Sequence, residues 1–454
     1  MDTKRGKKVY LLTNFSGYLK SYSPIIVVGQ QIEMFKRAGY EPVLVTSEGW
    51  NPPEESIFAS VETKRLSNVT IDGTTVDEAF EADVDRLESQ MYDILEDDGV
   101  VFTHDLIFLP DYVKLNVACR RVAELKPSVQ WVHLIHSATS PGILIQERAM
   151  FGEKYKELLS SKFPNSIIMY PNAYDIPRVA QNYSYEENEI VEVPHATNAT
   201  EGMSSIVRRL YDEKRLYEPQ VLTVYPIRLD RGKYAEAQIH LMAGCKENGM
   251  TSHVVYCDFQ STGDDKVVYR NDLKQLAEQL GVADRVTFLS EFDASANMEV
   301  PHNVVLELFT LSNVFLMPSK SETYSLIAQE AMMKGNLCLL NHDFAPFRQI
   351  YGKNALYKQF DGANISISGQ DGEIQTTHSD VTAYYRSLAS NIAYYLENDK
   401  TIRAKTWVRT QRNPDYVFKH YIEPILNSKE EVDTHVQEPI EAEILDNTAS
   451  ILGA

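Results

Sequence analysis

Between Val314 and Asn341 the run VFLMPSKSETYSLIAQEAMMKGNLCLLN leaves the backbone few choices. Val314–Met317 is a short, unbroken apolar stretch that reads as a strand buried on both faces. Pro318 and Ser319 end it, and a polar loop follows. Helical spacing then runs from about Ser325 to Lys334, Gly335 supplies the stop, and Leu337–Leu340 is a second apolar strand. Strand, loop, helix and strand make a βαβ unit, so the two strands are parallel. The loop after the first strand therefore faces the carboxyl edge of the sheet, where open α/β sheets bind ligands. That loop carries Glu322, and the helix carries Glu330 eight positions on. Carboxylates accept hydrogen bonds from hydroxyls such as those of a sugar or ribose. The helix start, with Thr323 and Ser325 as candidate caps, offers unpaired N–H groups and partial positive charge to an anion. Together these features point to a sugar attached to a phosphate.

The rest of the chain repeats this alternation twice. Strands are expected at Val9–Asn14, Pro42–Thr46, within Val100–Leu109, and at Gln130–His136, Ser166–Tyr170 and Val191–Val193. Helices are expected at Ile25–Ala38, 77–98 and Val113–Glu124 between them. Residues 199–219 read as a mostly polar helical connector. The pattern restarts with strands at Val221–Pro226, Ser252–Cys257 and Val286–Leu289, and helices at Tyr234–Glu247, Asn271–Leu280 and Asn303–Ser312. The expected fold class is α/β, with two tandem Rossmann-like domains facing each other across a cleft, where a ligand can be enclosed.

Composition narrows the function further. A net charge of −20 over 454 residues argues against general attraction to nucleic acid or anionic membranes. Acidic residues in 77–98 form the solvated face of a helix whose Phe80, Val84, Leu87 and Met91 recur at helical spacing. The four cysteines are scattered without a CxxC pair, as expected of buried thiols in a reducing cytoplasm. No apolar run approaches the roughly 20 residues that span a bilayer. Neither H-E-x-x-H nor clustered histidines suggest a metal site, and Glu96–Asp98 and Asp264–Asp265 read as acidic turns. No Walker loop, G-x-S-x-G elbow or G-x-G-x-x-G after the first strand occurs.

PSKSETYSLIAQEAM resembles the E-x7-E signature of retaining glycosyltransferases with the GT-B fold, family 4 in particular. Tyr324 stands for that family's Phe, and Ser325 for its Gly. The resemblance implies that Glu322 contacts hydroxyls of a donor sugar, that Glu330 holds the nucleotide ribose, and that Thr323, Tyr324, Ser325 and Leu326 lie along the donor. VLTVYPIRLDRGKYAEAQIHLMAGC resembles the strand-loop-helix in which an Arg and a Lys grip the donor diphosphate, roles that fall on Arg228 and Lys233. Fixed cations there stabilise the charge that builds on the departing nucleoside diphosphate. Tyr225-Pro226 stands where the family often has a Gly.

In the first half, VQWVHLIHSATSP resembles the family's strand ending in a His near the transferred sugar, which places that role on His136. His133, three positions earlier, would face the other side of a continuous strand and reads as a core histidine. His104 and Asp105 end another strand and are candidates to meet the acceptor. Gly17, in the loop Asn14–Tyr18, has the position of the family's glycine-rich loop near the donor phosphate, although a simple turn explains it equally well. Pro194–Asn198 (PHATN) stands where relatives read P-N-G-V-D.

By resemblance, residues 1–198 form the acceptor-side domain and 199–404 the nucleotide-sugar-binding domain. Residues 405–427 form a helix returning to the first domain, and 428–454 an acidic flexible tail. The expected protein is a cytoplasmic, metal-independent glycosyltransferase without a cofactor. Its donor is a nucleoside-diphosphate sugar, and its acceptor a glycan, a small molecule or a modified DNA base. DNA modification would call for a basic stripe such as Lys154, Lys156, Lys162 and Arg178 beside the cleft. A non-catalytic sugar-nucleotide-binding partner subunit is the other rival, prompted by Ser325 and the altered PHATN segment.

Overall fold

The computed structural model describes residues 7–427 except 14, 68–78, 138, 140–152, 259–263, 320–321, 361–365, 368–373 and 376–377. The expected acidic tail, 428–454, and Asn14 lie outside the described residues. The first half builds a seven-stranded sheet. Its strands are β1 (Lys8–Leu12), β2 (Glu41–Ser47), β3 (Glu62–Leu66), β4 (Val100–His104), β5 (Gln130–Leu134), β6 (Ser166–Tyr170) and β7 (Ile190–Glu192). They lie in the order β3-β2-β1-β4-β5-β6-β7, every pair parallel. The second half builds a six-stranded sheet from β8 (Val221–Ile227), β9 (Ser252–Asp258), β10 (Val286–Phe288), β11 (Val314–Met317), β12 (Leu337–Asn341) and β13 (Leu356–Lys358), beside a separate antiparallel pair, Ser366–Ile367 and Ile374–Gln375. The order in that sheet is β10-β9-β8-β11-β12-β13, again all parallel. The fold is thus α/β with two tandem Rossmann-like sheets, as expected. Each order reverses direction once, between β1 and β4 and between β8 and β11. The crevice outside the carboxyl ends at such a reversal is where doubly wound sheets hold ligands.

Two edge strands differ from the sequence reading. In β3 the residues are ETKRL, mostly exposed, so no apolar alternation marks them; a charged edge discourages pairing with a second chain. β13 is a three-residue edge strand, half-buried throughout. The expected connector 199–219 contains the helix Ser205–Glu213, whose Ile206, Val207, Leu210 and Tyr211 are buried in the second core. Two long helices, His378–Asn398 and Lys400–Gln411, carry no motif singled out above. The first of them seats on the helix Glu236–Glu247 at Gly244, where an added Cβ would stand 2.3 Å from the Tyr385 carbonyl oxygen. Gly244 therefore sets how closely the two helices approach.

Helix Lys400–Gln411 stays with the second half: Lys405 Nζ donates to the carbonyls of Phe309 and Lys334, and Arg409 to that of Leu216. The chain crosses back just after it. Val417, Phe418, Ile422, Ile425 and Leu426 join Ile25, Val28, Ile32 and Phe35 in the core on one face of the first sheet. Each such side chain contributes on the order of 2 kcal/mol when fully buried. The crossing segment is three short pieces, Pro414–Val417, a π-helical Phe418–Ile422, and Glu423–Asn427, rather than one regular helix. Arg37, at the end of helix Ser23–Arg37, binds both passages between the halves. Its guanidinium lies 3.0 Å from Asp212 and 3.1 Å from Asp415, and 2.6 Å from Glu33.

Candidate active site

At the reversal point of the second sheet, β8 and β11 deliver the residues expected to hold the donor. β8 ends at Ile227 and releases Arg228. A short 3-10 turn, Arg231–Lys233, follows, and Tyr234 adopts left-handed backbone (φ 51°). Pro226 is accommodated in a central strand because the ladder to β11 registers at Thr223 with Val314, three residues before it. The turn points Lys233 at the loop after β11, where its ammonium pairs with the Glu322 carboxylate. Both side chains are only partly exposed, at 28% and 15%. Arg228 is directed toward solvent and binds Asp230 at 2.8 Å. Arg231 lies over the Tyr269 ring and pairs with Asp272.

The loop after β11 is braced from behind. The buried Asn341 amide donates to the carbonyls of Pro318 (3.3 Å) and Ser319 (3.1 Å). Tyr351 Oη donates to the carbonyls of Tyr324 (2.9 Å) and Ser325 (2.7 Å). The helix then spans Leu326–Met333 with Ser325, not Thr323, as its cap. Ser325 sits at φ 71°, ψ 77°, a left-handed conformation natural to glycine and costly to other residues. A serine thus holds a backbone conformation that glycine adopts without strain. Its Oγ offsets part of the strain by accepting from Ala328 N–H at 3.4 Å. Thr323, Tyr324 and Leu326 are exposed, and Tyr324 Oη accepts from Gln329. Glu330 does not meet Glu322 in any hydrogen bond; it is held by His302 Nε2 at 2.8 Å. His302 was missed in the sequence, where it looks like any polar residue opening the helix His302–Leu311.

The first sheet gathers a different set at its own carboxyl edge. β5 ends at Leu134, so His136 stands two residues beyond the strand, and its backbone N–H donates to Asp105 Oδ1 at 3.0 Å. Its ring Nε2 lies 3.2 Å from His104 Nδ1. The rings of His104, His136 and His195 form a row in near-parallel planes, with centroids 5.5 Å and 5.8 Å apart and planes within about 22°. Gln31 Oε1 closes the chain on His104 Nε2 at 2.9 Å. A carbonyl there makes Nε2 of His104 the donor, so Nδ1 accepts and His136 Nε2 carries a hydrogen toward it. Burial, then the neighbouring His136 and His195, hold His104 well below the usual imidazole range. It is therefore neutral. Burial raises the Asp105 carboxyl although His136 opposes this, and Asp105 itself takes left-handed backbone (φ 55°).

His104, Asp105 and His136 are thus brought together, and His195 and Gln31 join them. Gln31 is legible in retrospect: it falls on the buried face of its helix, between Val28 and Ile32, where a polar residue needs a partner. His133 is a core residue, fully buried, 2.7 Å from Thr103 Oγ1 and against Phe163. Gly17 is exposed, and a Cβ on it would meet nothing within 4 Å, so space alone does not demand glycine there. Of the basic stripe, Lys162 pairs with Glu189 and Arg178 with Asp175. The side chains of Lys154 and Lys156, like those of Asp264 and Asp265, lie outside the described residues.

All four cysteines are buried and unpaired. Among the described residues no helix is long and apolar enough to cross a membrane, and no group of three His, Cys, Asp or Glu is placed to hold a metal ion.

No curated protein sequence matches the chain. Several solved structures align along nearly all of it at low similarity. HepE of Anabaena, solved with UDP and glucose, is 13% identical and covers 93% of this chain and 100% of its own, with a TM-score of 0.34. A glycosyltransferase from Rickettsia africae is 11% identical, covering 94% and 100%, with a TM-score of 0.36. Sucrose-phosphate synthase of Thermosynechococcus elongatus is 16% identical, covering 93% and 97%, with a TM-score of 0.31. At such scores these likenesses add nothing to what the strand order already gives. The more specific finding is that residues 208–358, which contain the whole second sheet, match the family described as glycosyl transferases group 1.

Proposed function

We propose that this protein is a glycosyltransferase that moves a sugar from a nucleoside-diphosphate sugar to an acceptor hydroxyl, with retention of configuration and without a metal ion. The observation that carries this reading is the Lys233–Glu322 pair at the reversal point of the one sheet whose sequence matches glycosyl transferases group 1. Arg228 and Lys233 bind the diphosphate and stabilise the negative charge it gains. Glu322 accepts hydrogen bonds from the sugar, Glu330 from the ribose, and the Leu326 helix start faces the phosphates. The bond from the anomeric carbon to the phosphate oxygen breaks with its electrons on the leaving diphosphate. The acceptor oxygen bonds to the same face of that carbon, and its proton passes to a leaving phosphate oxygen. His136 positions the sugar from the other half, with His104 and Asp105 on the acceptor side. Retention rests on the family resemblance. The left-handed Ser325 favours a working enzyme over a degenerate partner subunit, because the substitution leaves the loop in the glycine conformation.

Turnover on a panel of nucleoside-diphosphate sugars and acceptors tests the reading. Wild-type protein should release nucleoside diphosphate while Glu322→Ala and Lys233→Ala fall by about a hundredfold or more. Variants that match the wild-type rate would refute the assignment.

A further inference from the structure

Three buried tyrosines converge on the turn that carries Lys233, and nothing in the sequence assigns them this role. Tyr225 on β8 and Tyr256 on β9 are register partners, and Tyr269 comes from the helix Asp264–Gln279. All three are at most 1% exposed. Tyr225 Oη donates to the Lys233 carbonyl at 2.8 Å. Tyr256 Oη donates to the Ala235 carbonyl at 2.8 Å. Tyr269 Oη accepts from the Ala235 N–H at 3.1 Å and donates to the Glu236 carboxylate at 2.6 Å. Four polar contacts therefore end within four consecutive residues, 233–236, the first of which carries the ammonium that meets Glu322.

We infer that Tyr225, Tyr256 and Tyr269 are positioning residues that fix Lys233 for the diphosphate of the donor. The proposal rests on the proposed function, in which Lys233 grips that diphosphate. Simple core packing requires only the rings; it does not require three hydroxyls aimed at one stretch of main chain. The turn needs such support because Tyr234 holds left-handed backbone, a conformation that a non-glycine residue keeps only when its surroundings impose it. The hydroxyls also remain dependable donors. Burial, and after it the Glu322 carboxylate, pushes the Tyr225 phenol well above its ordinary range. Burial does the same for Tyr256 and Tyr269. Holding the ammonium in place before the ligand arrives lowers the ordering cost of binding.

Calorimetry with UDP, GDP and ADP, and with the matching nucleosides, tests this on full-length protein. The variants are Tyr225→Phe, Tyr256→Phe and Tyr269→Phe, which keep the rings, beside Lys233→Ala. Each phenylalanine variant should weaken the preferred diphosphate about fivefold, the worth of one hydrogen bond, and leave its nucleoside unchanged. Equal loss for nucleoside and diphosphate would mean a merely structural role and would overturn the proposal. Undiminished diphosphate binding in all three, with Lys233→Ala defective, would overturn it while leaving the proposed function intact. Failure of the wild-type protein to bind any diphosphate, or full binding by Lys233→Ala, would remove the proposed function and this inference with it.

Discussion

The two halves share one strand order, to which the first adds the edge strand β7, and they differ in what they place at the reversal. The second sheet presents formal charges, Lys233 against Glu322 and Arg228 beside Asp230, with His302 hydrogen-bonded to the Glu330 carboxylate. The first presents a row of imidazoles, ending on a buried amide, with His104 kept neutral by burial. A common scaffold therefore sets where chemistry can occur, while the residues just beyond each strand decide its kind. Charged partners suit a ligand that brings its own charge, which can take over each ion pair as it binds. A hydrogen-bonded row of imidazoles suits a partner that brings hydroxyls.

The sharpest way to break this comparison is to remove one residue from each side. Lys233→Ala should lose both donor binding and turnover, by about a hundredfold or more in rate. His136→Ala should lose turnover by about tenfold to a hundredfold while calorimetry shows donor affinity within about twofold of wild type. Parallel losses of affinity in the two variants would erase the proposed division of labour.

Acid should separate the halves next. His104 and His133 in the first half and His253 in the second are all lowered by burial, His133 to about 3 and His253 to about 4. Each binds a proton more readily unfolded than folded. Its stabilising effect is complete above about pH 6.5 and declines as pH falls, by about 1.4 kcal/mol per unit for each group, until the folded value is reached. Asp105 in one half and Asp258 in the other are raised by burial and work in the opposite sense. The first half should therefore weaken more steeply between pH 6.5 and 5. Hydrogen exchange, corrected for intrinsic rate, should show amides of β4 and β5 opening before those of β9; the reverse order would contradict the assignment.

Smaller effects probe the second half alone. Gly244→Ala forces a Cβ against the Tyr385 carbonyl and should cost about 1–3 kcal/mol by denaturant titration, although alanine is the better helix former. Ser325→Gly should change stability by less than about 1 kcal/mol, because relief of the left-handed backbone is partly offset by loss of the cap. Ser325→Val should be clearly destabilising; thermal unfolding equal to wild type would show that the backbone there is not held in this conformation.

Legibility also differs between the halves. Val314–Asn341 was readable because buried parallel strands are continuous apolar runs and its helix has a clear stop, Gly335 at φ 72°. Arg228, Lys233 and Glu322 were readable because their spacing matches a motif. The row of His104, His136 and His195 was not, because its members lie 32 and 59 positions apart and meet only through strand order. β3 was hidden because an edge strand has no need of apolar residues on both faces. His302 was hidden because an exposed histidine at a helix start looks like any surface polar residue, and the roles of the three tyrosines were hidden for a reason related to that of β3. A polar tip on a buried ring looks like core until the atom that it reaches is known.

The grip of Arg37 on Asp212 and Asp415 has a mechanical consequence. Both passages of the chain between its halves are latched to a single side chain. Any swing of one sheet against the other that keeps those contacts must pivot there, so the points farthest from Arg37 travel farthest. Raising ionic strength would loosen that pivot before it disturbed either core.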